Sequence, residues 1–242
     1  IYTRLYTLSL HDALPISLMR QAKQMTLEVQ RRAARVLAPG IRASNVRGFI
    51  DAAHKAIGSA GSTFCIVQFG ASTAFPHGLP QDDELREGDM VLIDTGCAME
   101  GYNSDITRSY VFGRADDDQR RIWDIEAEAQ RAAFDAVRPG VPCATIDAAA
   151  RAVLERQGLG PDYRLPGLPH RTGHGIGLSI HEAPYLVRGD ETPLQPGMCF
   201  SNEPMIVVPG RFGVRLEDHF HVTDQGARWF TEPSRAIDEP FA

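Results

Sequence analysis

The chain has 242 residues, of which 43% are hydrophobic and 23% charged, so its composition is that of a globular protein with a sizeable buried core. A formal net charge of −6 and a pI near 5.7 argue against nucleic acid as the main partner. No apolar run approaches the roughly 18 residues that a membrane-spanning helix requires. We therefore expect neither a nucleic-acid partner nor a membrane partner.

The cysteines are widely spaced and form no Cys-x-x-Cys pair. They are Cys65, Cys97, Cys143 and Cys199. This spacing favours buried free thiols over a disulfide framework or a thiolate zinc site. Free thiols are typical of a reducing compartment, and we expect a cytoplasmic protein.

The first 16 residues, IYTRLYTLSLHDALPI, are too polar for a signal peptide, because His11 and Asp12 interrupt the apolar stretch. They resemble the conceptual translation of a sequencing-adapter end. We expect residues 1–16 to be a non-native leader and residues 17–242 to form the functional domain, with an upstream N-terminal domain missing. A short native strand is the alternative.

Apolar residues recur at three- and four-residue steps in two stretches, and a shorter helical pattern follows each. The four predicted helices span residues 18–37, 44–58, 117–138 and 145–157. Ser44 and Thr145 are the predicted N-caps of the shorter helices, while Pro39-Gly40 and Pro139-Gly140 end the longer ones. The pairs align at an offset of 100 residues. This favours one duplicated domain with an approximate internal twofold over chance resemblance.

Strand patterns follow each helix pair. TFCIVQF comes after the first pair, and GMCFSNEPMIVV, GVRLEDHFHVT and ARWFTE come after the second. This order favours an α+β fold in which helices cover one face of a curved antiparallel sheet.

The segment DTGCAMEGYNSD has an aspartate at each end, Asp94 and Asp105, and a turn-like Glu100-Gly101 between them. Both flanks predict strands, so a hairpin would bring the two carboxylates nearly opposite each other. Like charges in that position destabilise a sheet. The arrangement makes sense if a cation binds between the two carboxylates.

Three further segments concentrate coordinating groups among glycine, proline and apolar residues. They are HRTGHGIGLSIHEAP, with His170, His174 and His181; SNEP, with Glu203; and VRLEDHFHV, in which Arg215, Glu217 and His219 alternate on one face of a predicted strand. Taken singly, each residue is more often structural than functional. Together, four carboxylates and a histidine in apolar surroundings cannot all be buried in charged form without a compensating cation.

Oxygen donors with one imidazole suit a hard or borderline divalent ion such as Mn, Co, Fe or Zn. Four carboxylates exceed the three protein ligands that a single catalytic zinc usually takes. The sequence therefore predicts two ions that share carboxylate ligands.

Together, IDTGCAMEGYNSDITRSYVFG, TGHGIGLSIHEAP, SNEP and VRLEDHF resemble the motif series of the pita-bread metallopeptidases. That family includes methionine aminopeptidase, prolidase and aminopeptidase P. The resemblance runs from about Leu18 to Phe230, and it implies the pita-bread fold and a homodimer. The Glu-x-Pro after His181 and the 14-residue step from Glu203 to Glu217 resemble the prolidase and aminopeptidase P branch.

The resemblance implies a metal-binding role for five residues. Asp94 would bind one ion, while Asp105 and Glu217 would bridge both. His174 and Glu203 would complete the second site. Manganese is the expected metal, with Co, Fe or Zn as alternatives.

The resemblance also implies hydrolysis of Xaa-Pro bonds in short peptides, by a dipeptidase or an aminopeptidase. A hydroxide bridging the ions would attack the carbonyl, and Glu203 would take up the water proton. His181 and His77 would steady the tetrahedral intermediate or protonate the leaving nitrogen. Arg215 would bind a substrate carboxylate or order a metal ligand. His170 stands where prolidases often have a further histidine on the substrate side of the site.

Two alternatives remain open. A protein of this fold could be a metal-dependent hydrolase or lyase that acts on a small non-peptide substrate. It could also be a non-catalytic binding module, although all five ligand positions are filled. One departure from the family pattern is Asn202, which stands where an apolar residue is usual before the glutamate. We expect it to leave metal ligation intact and to bear on the local hydrogen bonding and the substrate preference.

Overall fold

The computed structural model describes the backbone of residues 2–241 and the side chains from residue 14 onward. Within this range the chain forms four α-helices and twelve β-strands. The helices are α1 (Tyr2–Val36), α2 (Ala43–Ala56), α3 (Asp117–Ala136) and α4 (Cys143–Arg156). None of these four helices combines the length and the apolar character needed to cross a membrane.

The strands fall into two main antiparallel sheets, ordered β1-β2-β5 and β12-β11-β8-β6-β7, and two hairpins, β3-β4 and β9-β10. Their bounds are β1 Phe64–Phe69, β2 Met90–Gly96, β3 Ala98–Met99, β4 Tyr102–Asn103, β5 Ile106–Val111, β6 Gly173–Gly175, β7 Glu182–Leu186, β8 Cys199–Asn202, β9 Met205–Val208, β10 Phe212–Arg215, β11 Asp218–Thr223 and β12 Gly226–Trp229. The fold is α+β, as predicted, with its strands divided between two sheets.

The stretch predicted as a leader, residues 1–16, is helical from Tyr2, so the alternative of a short strand is wrong. Residue 1 and the side chains of residues 2–13 lie outside the described part. The division at residue 17 stays a prediction.

The duplication predicted from the sequence is confirmed by the backbone. Helices α2 and α4 have 14 residues each and begin 100 positions apart. Gly40 and Gly140, which precede them, have φ angles of 84° and 85°, in the left-handed region that favours glycine. Their amides donate to the carbonyls of Leu85 and Leu194, both at 2.8 Å. Each half therefore enters its second helix through the same turn.

The predicted N-caps Ser44 and Thr145 are wrong, because both residues lie in the first helical turn and the N-cap positions belong to Arg42 and Pro142. A distant carboxylate serves α2 instead. Asp82 accepts hydrogen bonds from the amide of Ser44 at 2.7 Å and from its hydroxyl at 2.8 Å. A partner 38 residues away satisfies the free end of this helix, and sequence-local capping rules do not detect it.

Strand β2 separates two hydrophobic clusters. Val91 and Ile93 pack with α1 and α2, whereas Met90 and Leu92 pack with α3, α4 and the second sheet. Successive side chains of a strand point to opposite faces. Asp94 continues the series of Met90 and Leu92, so its carboxylate faces the second half of the molecule.

The two aspartates, predicted to lie nearly opposite each other, lie close together but diagonally across the ladder. In the β2-β5 ladder Asp94 pairs with Thr107, and Asp105 lies two residues earlier, before β5 begins. Residues two apart share a face of the sheet, so the two carboxylates are diagonal neighbours on the same face. The turn predicted at Glu100-Gly101 is confirmed, with φ angles of 49° and 86°.

Helix α1 buries a polar row as well as the predicted apolar face. Lys23, Thr26 and Gln30 are all fully buried. The row bonds to the segment around Asp105, through Lys23 Nζ to the Asn103 carbonyl (3.2 Å), Thr26 Oγ1 to Ser104 Oγ (2.7 Å) and Gln30 Nε2 to the Ile106 carbonyl (2.6 Å). The helix therefore fixes the backbone on both sides of Asp105.

A buried ion pair joins the two sheets. Arg108 of β5 and Asp218 of β11 are fully buried, with Nη2 and Oδ1 2.7 Å apart. Nη1 of Arg108 also donates to the Glu217 carbonyl at 3.0 Å, and Gln130 Nε2 donates to the Asp218 carboxylate at 3.2 Å. The second sheet is thereby held in register beside the first.

Asp218→Ala should destabilise the protein by about 3–5 kcal/mol, because it leaves the Arg108 charge buried without a partner. Urea unfolding of the metal-free protein measures the loss. As a control, Asp238→Ala removes the exposed Arg120–Asp238 pair and should cost less than about 1 kcal/mol. Equal small losses in the two variants would contradict the role of the buried pair.

Candidate metal centre

A cavity of about 600 Å³ lies between the two sheets. Its lining includes every residue that the sequence predicted for the site, namely His77, Asp94, Asp105, His170, His174, His181, Glu203, Arg215 and Glu217. Residues from both sequence repeats therefore meet in one cavity of the size that small-molecule sites usually have.

Two of the predicted carboxylates lie where strands are interrupted. The segment VRLEDHFHV does not form the single strand that was predicted, because β10 ends at Arg215 and β11 begins at Asp218. Glu217 stands in the break, and its amide donates to the Thr107 carbonyl at 3.1 Å. Glu203 likewise stands between β8 and β9, with its amide bonded to the Thr172 carbonyl at 2.8 Å. A bond to β5 at Glu217 and a bond to the residue before β6 at Glu203 replace the regular ladder.

The imidazole of His174 points at the carboxylates. Its Nε2 lies 3.3 Å from Glu203 Oε1, 3.7 Å from Asp105 Oδ2 and 4.0 Å from Glu217 Oε1. Its Nδ1 lies 2.9 Å from the carbonyl of Gly175, which can only accept a hydrogen bond. The proton therefore sits on Nδ1, and Nε2 presents its lone pair to the cavity, as a metal-ligating histidine does.

The ligand atoms form overlapping groups, each within 4.8 Å: Asp94, Asp105 and Glu217; His174, Glu203 and Glu217; and Asp105, His174 and His181. Glu217 belongs to the first two groups. One buried oxygen on each of Asp94, Asp105 and Glu217 has no hydrogen-bond partner among the described residues. Unpartnered oxygens that converge with one imidazole fit hard or borderline divalent cations.

The protonation equilibria of these groups show the cost of their burial. Burial raises the pKa of Asp105 and of Glu217 well above the usual range, and neighbouring carboxylates add to both shifts. Burial raises the pKa of Glu203 to about 7, against the opposing charge of Arg215. Burial also lowers the pKa of His174 to about 3. A divalent cation would favour the ionised carboxylates and the neutral imidazole.

All nitrogens of the Arg215 guanidinium contact residues that build the site. Nη2 pairs with the Asp94 carboxylate, Nη1 donates to the Pro76 carbonyl at 3.0 Å, and Nε donates to Thr107 Oγ1 at 3.1 Å. Thr107 Oγ1 in turn donates to Glu217 Oε2 at 2.8 Å. Of the two roles predicted for Arg215, the geometry favours ordering the carboxylates over binding a substrate carboxylate.

Three histidines lie toward the cavity mouth. His77 and His181 are exposed, and the ring centroid of His181 lies 4.3 Å from that of His174. His170 is half-buried, with Nδ1 bonded to the carbonyl of Arg171 at 2.6 Å and Nε2 without a partner among the described residues. Burial lowers the pKa of His181, and it lowers the pKa of His170 to about 3. These shifts favour the neutral imidazole of His170 and of His181 near pH 7.

Sequence reasoning did not assign some neighbours of the site. His219 is fully buried, and its Nε2 lies 3.8 Å from Glu217 Oε1. Arg171 lines the cavity. The sequence does not identify it, because an arginine in a glycine-rich segment is also typical of a protein surface. The side chain of Asn202 contacts α3 instead of the cavity, since its amide donates to the Gln130 carbonyl at 2.8 Å. Only three-dimensional contacts distinguish these roles.

The family follows from a match over most of the chain. Residues 17–224 match the model of metallopeptidase family M24. The chain belongs to that family. A probable dipeptidase, PepE, of Mycobacterium tuberculosis is 45% identical over 213 residues, which are 88% of this chain and 56% of the relative.

Solved structures of a dipeptidase and a prolidase share the fold. Dipeptidase PepE from Mycobacterium ulcerans superposes with a TM-score of 0.85 at 42% identity, over 91% of this chain and 58% of that one. Prolidase from Pyrococcus furiosus superposes with a TM-score of 0.86 at 35% identity, over 92% of this chain and 65% of that one. The pita-bread fold is therefore confirmed. The chain spans less than two thirds of the length of these relatives.

The burial of Glu203 predicts a pH dependence in the metal-free protein. Its pKa is about 7 when folded, above the usual value near 4.5, so its stabilising contribution is complete below pH 4.5 and is lost as pH rises through 7. Between pH 5 and pH 8 the unfolding free energy of the wild type should therefore fall by up to ~3 kcal/mol relative to Glu203→Gln, which does not titrate. Urea unfolding in EDTA measures this difference. A difference that stays constant across this range would refute the prediction.

Proposed function

We propose that the protein is a two-metal hydrolase that cleaves Xaa-Pro bonds in short peptides, as a dipeptidase or an aminopeptidase. The observation that carries the proposal is the pair of overlapping ligand groups that share Glu217. Membership of family M24 supports a metal-dependent peptidase. The similarity to an Xaa-Pro dipeptidase of Pyrococcus furiosus, 41% identical over 172 residues, supports the choice of the Xaa-Pro bond as the bond that is cleaved.

Five side chains would hold the ions. Asp94 would bind the first, Asp105 and Glu217 would bridge both, and His174 and Glu203 would complete the second. Their oxygen-rich donor set suits manganese, with Co, Fe and Zn as alternatives. When bound, the ions would supply an activated water nucleophile and polarise the substrate carbonyl.

Residues of the chain would handle the protons. Glu203 Oε1 stands 3.3 Å from His174 Nε2 and 3.3 Å from Ser201 Oγ, at the centre of the cluster, and would accept the proton of the attacking water. His181, beside His174, would deliver a proton to the leaving prolyl nitrogen or hold the developing oxyanion. His77 would act on the same substrate atoms, and His170 would contact the substrate from the cavity wall.

The proposal extends to assembly and location. A homodimer is expected from the resemblance to the pita-bread metallopeptidases. The cysteines among the described residues are free, which supports a reducing compartment such as the cytoplasm.

Asp105→Asn should abolish Mn- or Co-dependent hydrolysis of Ala-Pro, because it removes a carboxylate that both ions would share. A loss of at least about 1,000-fold in kcat/KM is expected, since metal activation of water would fail. Asp124→Asn, an exposed aspartate on α3, is the matched control and should retain full activity. Retained activity in Asp105→Asn would contradict the assignment of the protein as a two-metal Xaa-Pro hydrolase.

A substrate panel tests the reaction class independently. Wild-type protein with Mn or Co is assayed on Xaa-Pro dipeptides, longer Xaa-Pro peptides, and small amides and sulfonium compounds, together with metal analysis. Turnover confined to the non-peptide compounds would favour the alternative hydrolase or lyase. Fewer than about one ion per chain, with no activity on adding metal, would favour a binding module, since a preformed site binds metal tightly.

His181→Gln should lower kcat by about 100- to 10,000-fold, the usual range for losing a positioned proton donor. Metal content should stay unchanged, because the remaining groups can still hold both ions. Steady-state kinetics and metal analysis of the same preparation separate the two effects. A parallel loss of metal would instead identify His181 as a ligand.

A further inference from the structure

Two arginines line the cavity, and they differ in what they bind. All three nitrogens of Arg215 are engaged, by Asp94, Pro76 and Thr107. Within the described residues, the guanidinium of Arg171 forms no hydrogen bond and no ion pair. It lies instead over the ring of Tyr185, 4.9 Å from the centroid. Arg171 therefore brings an uncommitted positive charge to the cavity wall.

The backbone on both sides of Arg171 is fixed by α4. The carbonyl of His170 accepts a hydrogen bond from Arg151 Nη2 at 2.6 Å, and the amide of Thr172 donates to Asp147 Oδ1 at 3.2 Å. Arg151 and Asp147 are themselves a buried pair, 2.8 Å apart. These contacts hold the segment in place and leave the guanidinium free, as a preorganised receptor requires.

The cavity near Arg171 suits a small anion attached to an apolar ring. Tyr185, Val187 and Ile180 add aromatic and aliphatic surface to the lining. The planar fork of a guanidinium matches a carboxylate with two parallel hydrogen bonds. The charge of Arg171 also reaches the catalytic groups, because it helps to lower the pKa of His181.

We propose that Arg171 binds the C-terminal carboxylate of an Xaa-Pro dipeptide, with the prolyl ring against the apolar wall. This inference rests on the proposed function and narrows it from Xaa-Pro peptides in general to dipeptides. The nitrogen of the scissile Xaa-Pro bond carries no proton, so recognition on this side must come from shape and from the carboxylate. A longer peptide or a C-terminal amide lacks that charge one residue after the scissile bond.

The test compares Ala-Pro with Ala-Pro amide in the Mn-loaded protein. The wild type should prefer Ala-Pro. Arg171→Gln should raise KM for Ala-Pro by about 10- to 100-fold with little change in kcat, since charge-assisted contacts made equally in ground and transition states affect KM. KM for the amide should not change. Arg171→Lys, which keeps a charge without the fork, should fall between the two.

Arg164→Gln is the matched control, because Arg164 is exposed on the preceding loop and lies outside the cavity lining. It should behave as the wild type. Equal losses on Ala-Pro and on its amide in Arg171→Gln would indicate a structural role and overturn the inference, as would an unchanged KM for Ala-Pro. Wild-type protein that cleaves the amide or Ala-Pro-Ala as well as Ala-Pro would overturn it too.

A binding measurement keeps failure of this inference distinct from failure of the proposed function. Calorimetric titration of the metal-loaded protein with L-proline and with prolinamide requires no turnover. The wild type should bind proline about 10-fold or more tightly than prolinamide, and Arg171→Gln should lose that preference. If no Xaa-Pro compound is cleaved but this preference holds, the proposed reaction fails and the Arg171 site stands. Absence of any preference overturns the Arg171 site.

Discussion

The burial of negative charge between the two sheets is the constraint on which the site depends. Asp94, Asp105, Glu203 and Glu217 converge at one place, and Arg215 is the cation that the chain itself pairs with them. Burying like charges together costs free energy unless an opposite charge offsets it. The raised pKa values of the carboxyl groups and the unpartnered oxygens are two expressions of that imbalance. Such a site favours bound cations, and without them the buried carboxylates would destabilise the fold.

The duplicated architecture explains how such a site can be assembled. Asp94 and Asp105 come from the first repeat, whereas His174, Glu203 and Glu217 come from the second. Neither half contains both candidate ligand groups, so the contacts that align the halves also set the spacing of these side chains. The buried Arg108–Asp218 pair joins the strands next to Thr107 and Glu217, and it aligns the two contributions.

Much of this could be predicted from the sequence, because residue type and order carry the information. Helix pairs 100 residues apart predicted the duplicated α+β fold, and the nine residues to which the sequence assigned a role in the site all line one cavity. The errors concern long-range partners. Asp82 rather than Ser44 serves the end of α2, and Glu217 interrupts a strand that periodicity alone would continue. The sequence did not identify Arg171, because its guanidinium is distinguished by forming no hydrogen bond or ion pair with the side chains that the structure describes, and a sequence does not show such contacts.

The polar row on α1 has a consequence for how the helix can move. Lys23, Thr26 and Gln30 are spaced three and four residues apart, and each reaches a different point of the chain that carries Asp105. An apolar stripe can slide or rotate along a partner at little cost, but a row of specific buried hydrogen bonds is satisfied in only one position. The row therefore fixes both the axial position and the rotation of α1 relative to this segment. The position of that helix and the position of the segment that carries Asp105 are therefore set together.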